Sequence, residues 1–187
     1  MKKLSNLVLL LAMVAGAGSA LAADLEKQSL TRMREQIGVM ESVLNGNLNQ
    51  IFPAPFAYLD KARGAYLPGY GVVFAFEVNL NPQPASLGPF GPERPVASAR
   101  ERADEARKNR QSALDMSERV LADFGHSLEQ VPAGESVAIV IHGTAAGPQG
   151  IEKSTTVVRA QKRDIDQFRA NTIDRAAFLH RLQVLEY

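Results

Sequence analysis

Cysteine and tryptophan are both missing from the 187-residue chain. Without cysteine there is no disulfide, no thiolate metal site, no cysteine nucleophile and no lipid-anchored N-terminal cysteine. Without tryptophan, and with aromatic residues at only 6%, a broad aromatic binding platform is disfavoured. Histidine is scarce as well. His126, His142 and His180 lie far apart, with no His-x-His or His-x-x-x-His spacing to hold a metal. Neither sign of charge dominates: 21 Lys+Arg face 20 Asp+Glu. That balance argues against a nucleic-acid binder and against an acidic disordered tail. The 45% apolar content is that of a folded protein.

Several catalytic patterns are missing too. No Gly-x-Ser-x-Gly elbow occurs. The glycine-rich run Gly143–Gly150 contains Pro148, which removes a backbone amide, and a strand pattern rather than a helix follows it, so it does not read as a phosphate loop. Asp164-Ile165-Asp166 lacks the glycine and glutamate of a calcium loop and reads as the acidic first turn of a helix. Asp60 and Glu77 would make an acid/base pair only with burial and a defined separation. No catalytic residue, metal or cofactor is therefore assigned.

The clearest signal present concerns location. Met1-Lys2-Lys3 is a positive start, Leu7 to Ala15 is apolar, and Ser19-Ala20-Leu21-Ala22 offers an Ala-x-Ala cleavage site. This is the pattern of an export signal cut between Ala22 and Ala23. The apolar run is short for a membrane span, and no other segment offers one. The expectation is a periplasmic or secreted protein: residues 1–22 removed, residues 23–187 a single soluble domain without a transmembrane anchor.

The mature part reads as helices and strands in turn. Asp24 is placed to cap a helix in which Leu30, Met33, Ile37, Met40 and Leu44 recur at steps of three and four, with Asn45-Gly46-Asn47 as its stop. Residues 51–59 read as a short extended piece and Asp60–Gly64 as a turn. Val72, Phe74, Phe76, Val78 and Leu80 alternate with smaller or polar residues, which predicts a strand. Residues 81–95 hold five of the ten prolines and read as a loop carrying Phe90. A long helix follows over about 97–124, with Ser98 and Glu101 spaced as a capping box. Its narrow alanine-based first half projects, and its second half, with Met116, Leu121 and Phe124, is the half to be buried. Residues 137–141 and 155–159 form a second hairpin around a flexible turn at 143–150. A short helix at 164–168, a last helix capped by Asn171 and a final edge strand at 184–187 complete the chain. The predicted fold is α+β, a two-layer domain with antiparallel hairpins (about 51–80 and 137–160) packed against the long central helix.

Two functional classes fit this reading. The first is a non-enzymatic envelope interaction or accessory protein that binds a protein partner, or itself as a homodimer, through residues 96–124. The second is a small extracytoplasmic hydrolase or ligand-binding domain with a cleft near Tyr66, Tyr70 and His142. Tyr66 and Tyr70 stand beside glycines in Tyr66-Leu67-Pro68-Gly69-Tyr70-Gly71, His142 ends a strand, and Phe90 is the loop's aromatic. These four are the candidate ligand- or partner-binding residues. Lys153, Arg159, Lys162 and Arg163 form the one local basic cluster.

Overall fold

The computed structural model describes residues 2–53, 57–82, 98–147 and 150–187, with side chains from Lys27 onward. Residues 83–95 of the expected loop, Phe90 among them, lie outside the described residues. The elements in order are α1 (Lys2–Ile51), β1 (Tyr58–Leu67), β2 (Gly71–Asn79), α2 (Ala99–Phe124), β3 (Ser136–Gly147), β4 (Gly150–Gln161), α3 (Lys162–Arg169), α4 (Arg175–Arg181) and β5 (Gln183–Glu186). The fold is mixed α+β: one five-stranded sheet ordered β1-β2-β3-β4-β5, two antiparallel hairpins and a long central helix.

The two hairpins meet at a parallel pair. Gly71 to Asn79 run alongside Ser136 to Thr144 in register, and α2 belongs to the crossover between them. Period two decides which face the helices cover. Val72, Phe74, Phe76, Val78 and Leu80 of β2 and its exit are buried, as are Val137, Ile139 and Ile141 of β3 and Val158 and Ala160 of β4. Each such large side chain contributes about 1.5–3 kcal/mol by leaving water. The alternating set on β2, from Val73 to Asn79, remains half-buried. Helix α1 packs on β1, while α2 packs on β3, β4 and α1.

Several local expectations are corrected. Helix α1 neither starts at Asp24 nor stops at Asn45; its backbone is helical from Lys2 to Ile51. It passes through Gly46 because Leu48 and Phe52 continue the buried line of Met33, Ile37, Met40 and Leu44. The Asn45 side chain is also held from outside, accepting from the Ala62 amide at 2.8 Å and from the Tyr58 hydroxyl. Leu30, expected on the stripe, is 54% exposed. The first strand lies at Tyr58–Leu67 rather than 51–59, so the expected turn at Asp60–Gly64 is strand. Being at the sheet edge, it tolerates charged residues and two register shifts. Gly64 is where this strand comes close to the core: a Cβ there would stand 2.5 Å from Phe74 Cε1 and 2.6 Å from Ile37 Cγ2.

The second hairpin is longer than expected. Gly143–Gly147 belong to β3 and pair with β4 up to Gly147↔Gly150. Asn81 extends the sheet there, donating to the Ala146 carbonyl (3.2 Å) and accepting from its amide (2.8 Å). Helix α2 has the capping box at Ser98 and Glu101, and its burial concentrates in Ala113–Ala122. Phe124 is 42% exposed, because the buried line turns inward through Leu121 and Ala122 to Gly125 and Leu128. Asp174, not Asn171, caps α4, accepting from the Ala177 amide at 2.7 Å. Asn171 instead sits at φ 55° just after α3, a left-handed position that asparagine accepts. Strand β5 pairs with β4 at the expected edge. Among the described residues no helix is long and apolar enough to cross a membrane.

Candidate functional site

The candidate residues are distributed over both faces of the sheet. Tyr66 lies opposite Val72, on the helix-covered face. Its hydroxyl donates to Glu135 Oε1 at 3.2 Å, and the Gly69 amide donates to the same oxygen at 3.0 Å. Burial pushes the Tyr66 hydroxyl above the ordinary tyrosine range, and the hydrogen bond and charge of Glu135 add to the rise. Tyr70 stands at the sheet end beside Arg159, whose guanidinium carbon is 5.2 Å from the ring centre and whose Nε donates to Ser136 Oγ at 2.9 Å.

His142 belongs elsewhere. It is paired with Glu77 across the parallel strands, and this pair lies six positions beyond Gly71↔Ser136. At roughly 3.3 Å per residue, that is about 20 Å along the sheet. It is on the face opposite Tyr66, exposed, with Nδ1 3.2 Å from Thr155 Oγ1. A shallow cavity of about 240 Å³ beside it is lined by Glu77, Thr144, Lys153, Ser154 and Thr155. The structure thus does not bring Tyr66 and His142 to one cleft. Asp60 does lie opposite Glu77 in the ladder, but it is exposed. Among the described residues no group of three His, Asp or Glu is arranged to hold a metal.

The expected basic cluster is dispersed. Lys162 is buried and pairs with Asp166, Arg159 is engaged at the Tyr70 end, and Lys153 lies near the far end of the β3–β4 hairpin. On the helix-covered face of the same hairpin, Ser154 and Glu152 meet cations of α2. A cavity of about 310 Å³ opens between the first half of α2 and the hairpin end, and its wall includes Arg102, Arg107, Arg110, Lys153 and Glu152. Its apolar lining is small: Ala99, Ala103 and Ala106 from the helix, Ala145 and Ala146 from β3. The small side chains let the helix and hairpin approach without filling the space between them. Steps of four place Arg102, Ala106 and Arg110 on one helix face.

This groove is built on hydrogen bonds. Asn109 Nδ2 donates to the Leu80 carbonyl at 2.7 Å, fixing the helix against the exit of β2. Arg110 Nη2 donates to Ser154 Oγ at 3.3 Å. The Nε–H of Arg110 is buried, and no acceptor among the described residues meets it. Arg107 is 3.4 Å from Asp104 in an exposed pair. The sequence contains one pointer to this site, the step-of-four spacing of the α2 arginines over an alanine seam. Ser154 and Glu152 arrive through the fold alone.

Compared with models of known protein families, with curated proteins and with solved structures, the chain matches none.

Proposed function

We propose that the protein is exported, loses residues 1–22, and works outside the cytoplasm as a non-enzymatic accessory protein that binds another protein surface, a second copy of itself included, through the first half of α2. The observation that carries this reading is the division of that helix. Within Ala99–Ser112 only Ala106 is buried, whereas Ala113, Met116, Ser117, Val120, Leu121 and Ala122 are all buried. A stretch this polar gains little from its own sheet, yet it is held helical by a complete capping box. The fold thereby presents a rigid surface that its own core does not use.

The packing of α1 supports removal of the first 22 residues. Its described side chains become buried only from Met33 onward. A cut after Ala22 leaves that packed segment whole.

Two measurements test the proposal. Mass spectrometry of the protein recovered from cells should give an N-terminus at Ala23 in the extracytoplasmic fraction; an intact N-terminus in the cytoplasm would overturn the export reading. A photo-crosslinking residue placed at Asp104 or Lys108 should give one discrete adduct in intact cells, weakened by charge reversal at neighbouring Arg100. No adduct from either position, or the same adducts from a position on the outer side of α1 such as Val39, would overturn the binding surface.

A further inference from the structure

We infer that the free edge of β5 pairs with β5 of a second copy of this chain, antiparallel and centred on Leu185, so that the five-stranded sheets of two domains become one. This goes beyond the proposed contact through α2 and uses a different part of the molecule.

The two edges of the sheet are built differently. On β1 the amides of Ala62 and Gly64 donate to Asn45 Oδ1 at 2.8 Å and to Glu41 Oε1 at 2.7 Å, both from α1. Lys61, Arg63 and two register shifts further spoil that edge as a template. Strand β5 has none of these devices: no lysine, no proline, no shift in register, and all its residues are exposed. Val184 is 40% and Leu185 46% exposed, and Tyr187 just beyond is 79% exposed. Thr155 and Tyr187 exchange both backbone hydrogen bonds, at 3.1 and 2.9 Å. Alternation along an antiparallel ladder then turns the amides and carbonyls of Gln183 and Leu185 toward β4, and those of Val184 and Glu186 toward the free edge. Such a row of donors and acceptors matches an extended backbone, so the occupant is a strand.

Self-complementarity identifies that strand as a second β5. Centred on Leu185, the pairing sets Val184 against the partner's Glu186, so the backbone groups that face the edge meet their counterparts. The neighbouring registers fail. Centred on Glu186, two carboxylates stand directly opposite and repel. Centred on Val184, each Glu186 lies opposite Leu182, whose amide already donates to the Leu179 carbonyl at 3.2 Å. Leu185 also ends the row Ala75–Val140–Val157–Leu185 on the sheet face opposite the helices. Pairing at Leu185 carries this apolar row unbroken into the second copy. The two-fold axis stands perpendicular to the sheet, which puts both α2 helices on the same side. So short an edge falls below the roughly 1,200 Å² that stable complexes bury, so the association is weak and reversible.

The chain has no cysteine, so a single introduced thiol reports the register. At the centre Leu185 faces its own copy in a non-hydrogen-bonded pair, with Cα atoms about 4.5 Å apart and within reach of a disulfide. On mild oxidation the purified full chain carrying Leu185→Cys should form a covalent dimer at least about ten-fold faster than the chain carrying Gln183→Cys, which the pairing sets opposite the partner's Tyr187. Val184→Pro removes an amide that faces away from β4. It should therefore leave the β4–β5 ladder in place, read from exchange of the Leu185 amide, yet abolish the crosslinking of Leu185→Cys. No covalent dimer from Leu185→Cys, the result if only a strand of another protein takes this edge, overturns the proposal. So do equal rates for Leu185→Cys and Gln183→Cys, which would mark random collision. Crosslinking of Leu185→Cys that survives Val184→Pro overturns it as well. Because none of these readouts depends on export or on α2, failure here leaves the accessory-protein reading standing.

Discussion

The Tyr66 hydroxyl donates to Glu135 Oε1 at 3.2 Å across 69 positions of sequence, tying the end of β1 to the residue that precedes β3. The same carboxylate oxygen accepts from the Gly69 amide in the β1–β2 turn at 3.0 Å, and the Glu135 carbonyl accepts from the Lys162 amide at 2.9 Å. One residue therefore fastens the turn of the first hairpin and the end of the second at the same edge of the domain. The parallel β2–β3 pair starts beside it, with the Ser136 amide donating to the Tyr70 carbonyl at 2.8 Å. Gly71 has φ 124° here, and any Cβ on it would run into the Ser136 carbonyl oxygen. Close approach of the backbones at this point fixes where the two hairpins join.

That contact predicts a pH dependence. Burial and Glu135 both raise the Tyr66 pKa, so the folded state favours the protonated hydroxyl. The resulting stabilisation is fully present below the ordinary tyrosine value of 10.0 and is lost as pH rises through the higher folded value. Tyr66→Phe should cost about 1 kcal/mol at neutral pH, the usual size of one hydrogen bond to a partly exposed group, and should flatten the alkaline loss. Urea denaturation at neutral and alkaline pH measures both. Glu135→Gln should bring the Tyr66 titration back toward 10.0, read from tyrosinate absorbance. An unchanged alkaline profile in Tyr66→Phe would rule out this residue as its source.

Gly64 predicts a steric cost. An added Cβ would sit 2.5 Å from Phe74 Cε1 and 2.6 Å from Ile37 Cγ2; Ile37 borders a cavity of about 530 Å³, but Phe74 is 0% exposed and has no room to retreat. Gly64→Ala should therefore destabilise by about 1–3 kcal/mol, the range for overpacking a closed core. For a domain of this length each kcal/mol lowers the melting temperature by about 2–4 °C. Thermal unfolding by circular dichroism checks it. A melting temperature equal to that of the parent would show that α1 can move off the strand.

What was legible in the sequence follows from how each element is buried. Strand β2 shows a plain alternation because one face, Val72 to Leu80, is core and the other is not. Helix α2 announces its start through Ser98 and Glu101, a local hydrogen-bonded pair. Strand β1 hides its character: as an edge strand carrying Asp60, Lys61 and Arg63 with two register shifts, it offers no alternation to read. The end of α1 misleads for another reason. Asn45 and Gly46 are ordinary stop signals, but buried Leu48 and Phe52 and the Asn45 contacts with Tyr58 and Ala62 outweigh local preference. The site was the least legible part. Tyr66 and His142 stand on alternate faces of the sheet, a fact set by strand register, while Ser154 and Glu152 reach the α2 arginines only through long-range pairing that no local pattern encodes.

The capping box predicts an acid-sensitive helix start. Ser98 Oγ accepts from the Glu101 amide at 3.2 Å, and Glu101 Oε2 accepts from the Ser98 amide at 2.7 Å. Those hydrogen bonds hold the Glu101 carboxyl below its ordinary pKa of 4.5. Its contribution is present above that value and is lost as pH falls through the lower folded one. Ser98→Ala should cost about 1 kcal/mol at neutral pH. Protection of the first-turn amides of α2, measured against their intrinsic exchange rate at each pH, should fall in Ser98→Ala, and in the parent as it is acidified. Equal protection of those amides in parent and variant would mean that the groove side, through Asn109 and Arg110, holds the helix start unaided.

Phe178 predicts the largest loss. It is 0% exposed, and its ring stacks on Phe168 with centroids 5.1 Å apart and planes at 24°, joining α4 to α3. The same junction carries Arg181 Nη1, which donates to Asp164 Oδ1 at 2.9 Å and Gln167 Oε1 at 2.8 Å. Phe178→Ala empties a closed site and should cost about 3–5 kcal/mol. Arg181→Ala should cost less, about 1–2 kcal/mol, since its side chain is 44% exposed and water replaces part of what it loses. The two variants should also differ in where they act. Strand β5 follows α4 directly and pairs only with β4, so freeing α4 from the core should release the β5 amides to exchange well before global unfolding. If Phe178→Ala loses stability while β5 keeps its protection, the final strand is anchored by its own ladder to Thr156–Arg159 and not by the helix before it.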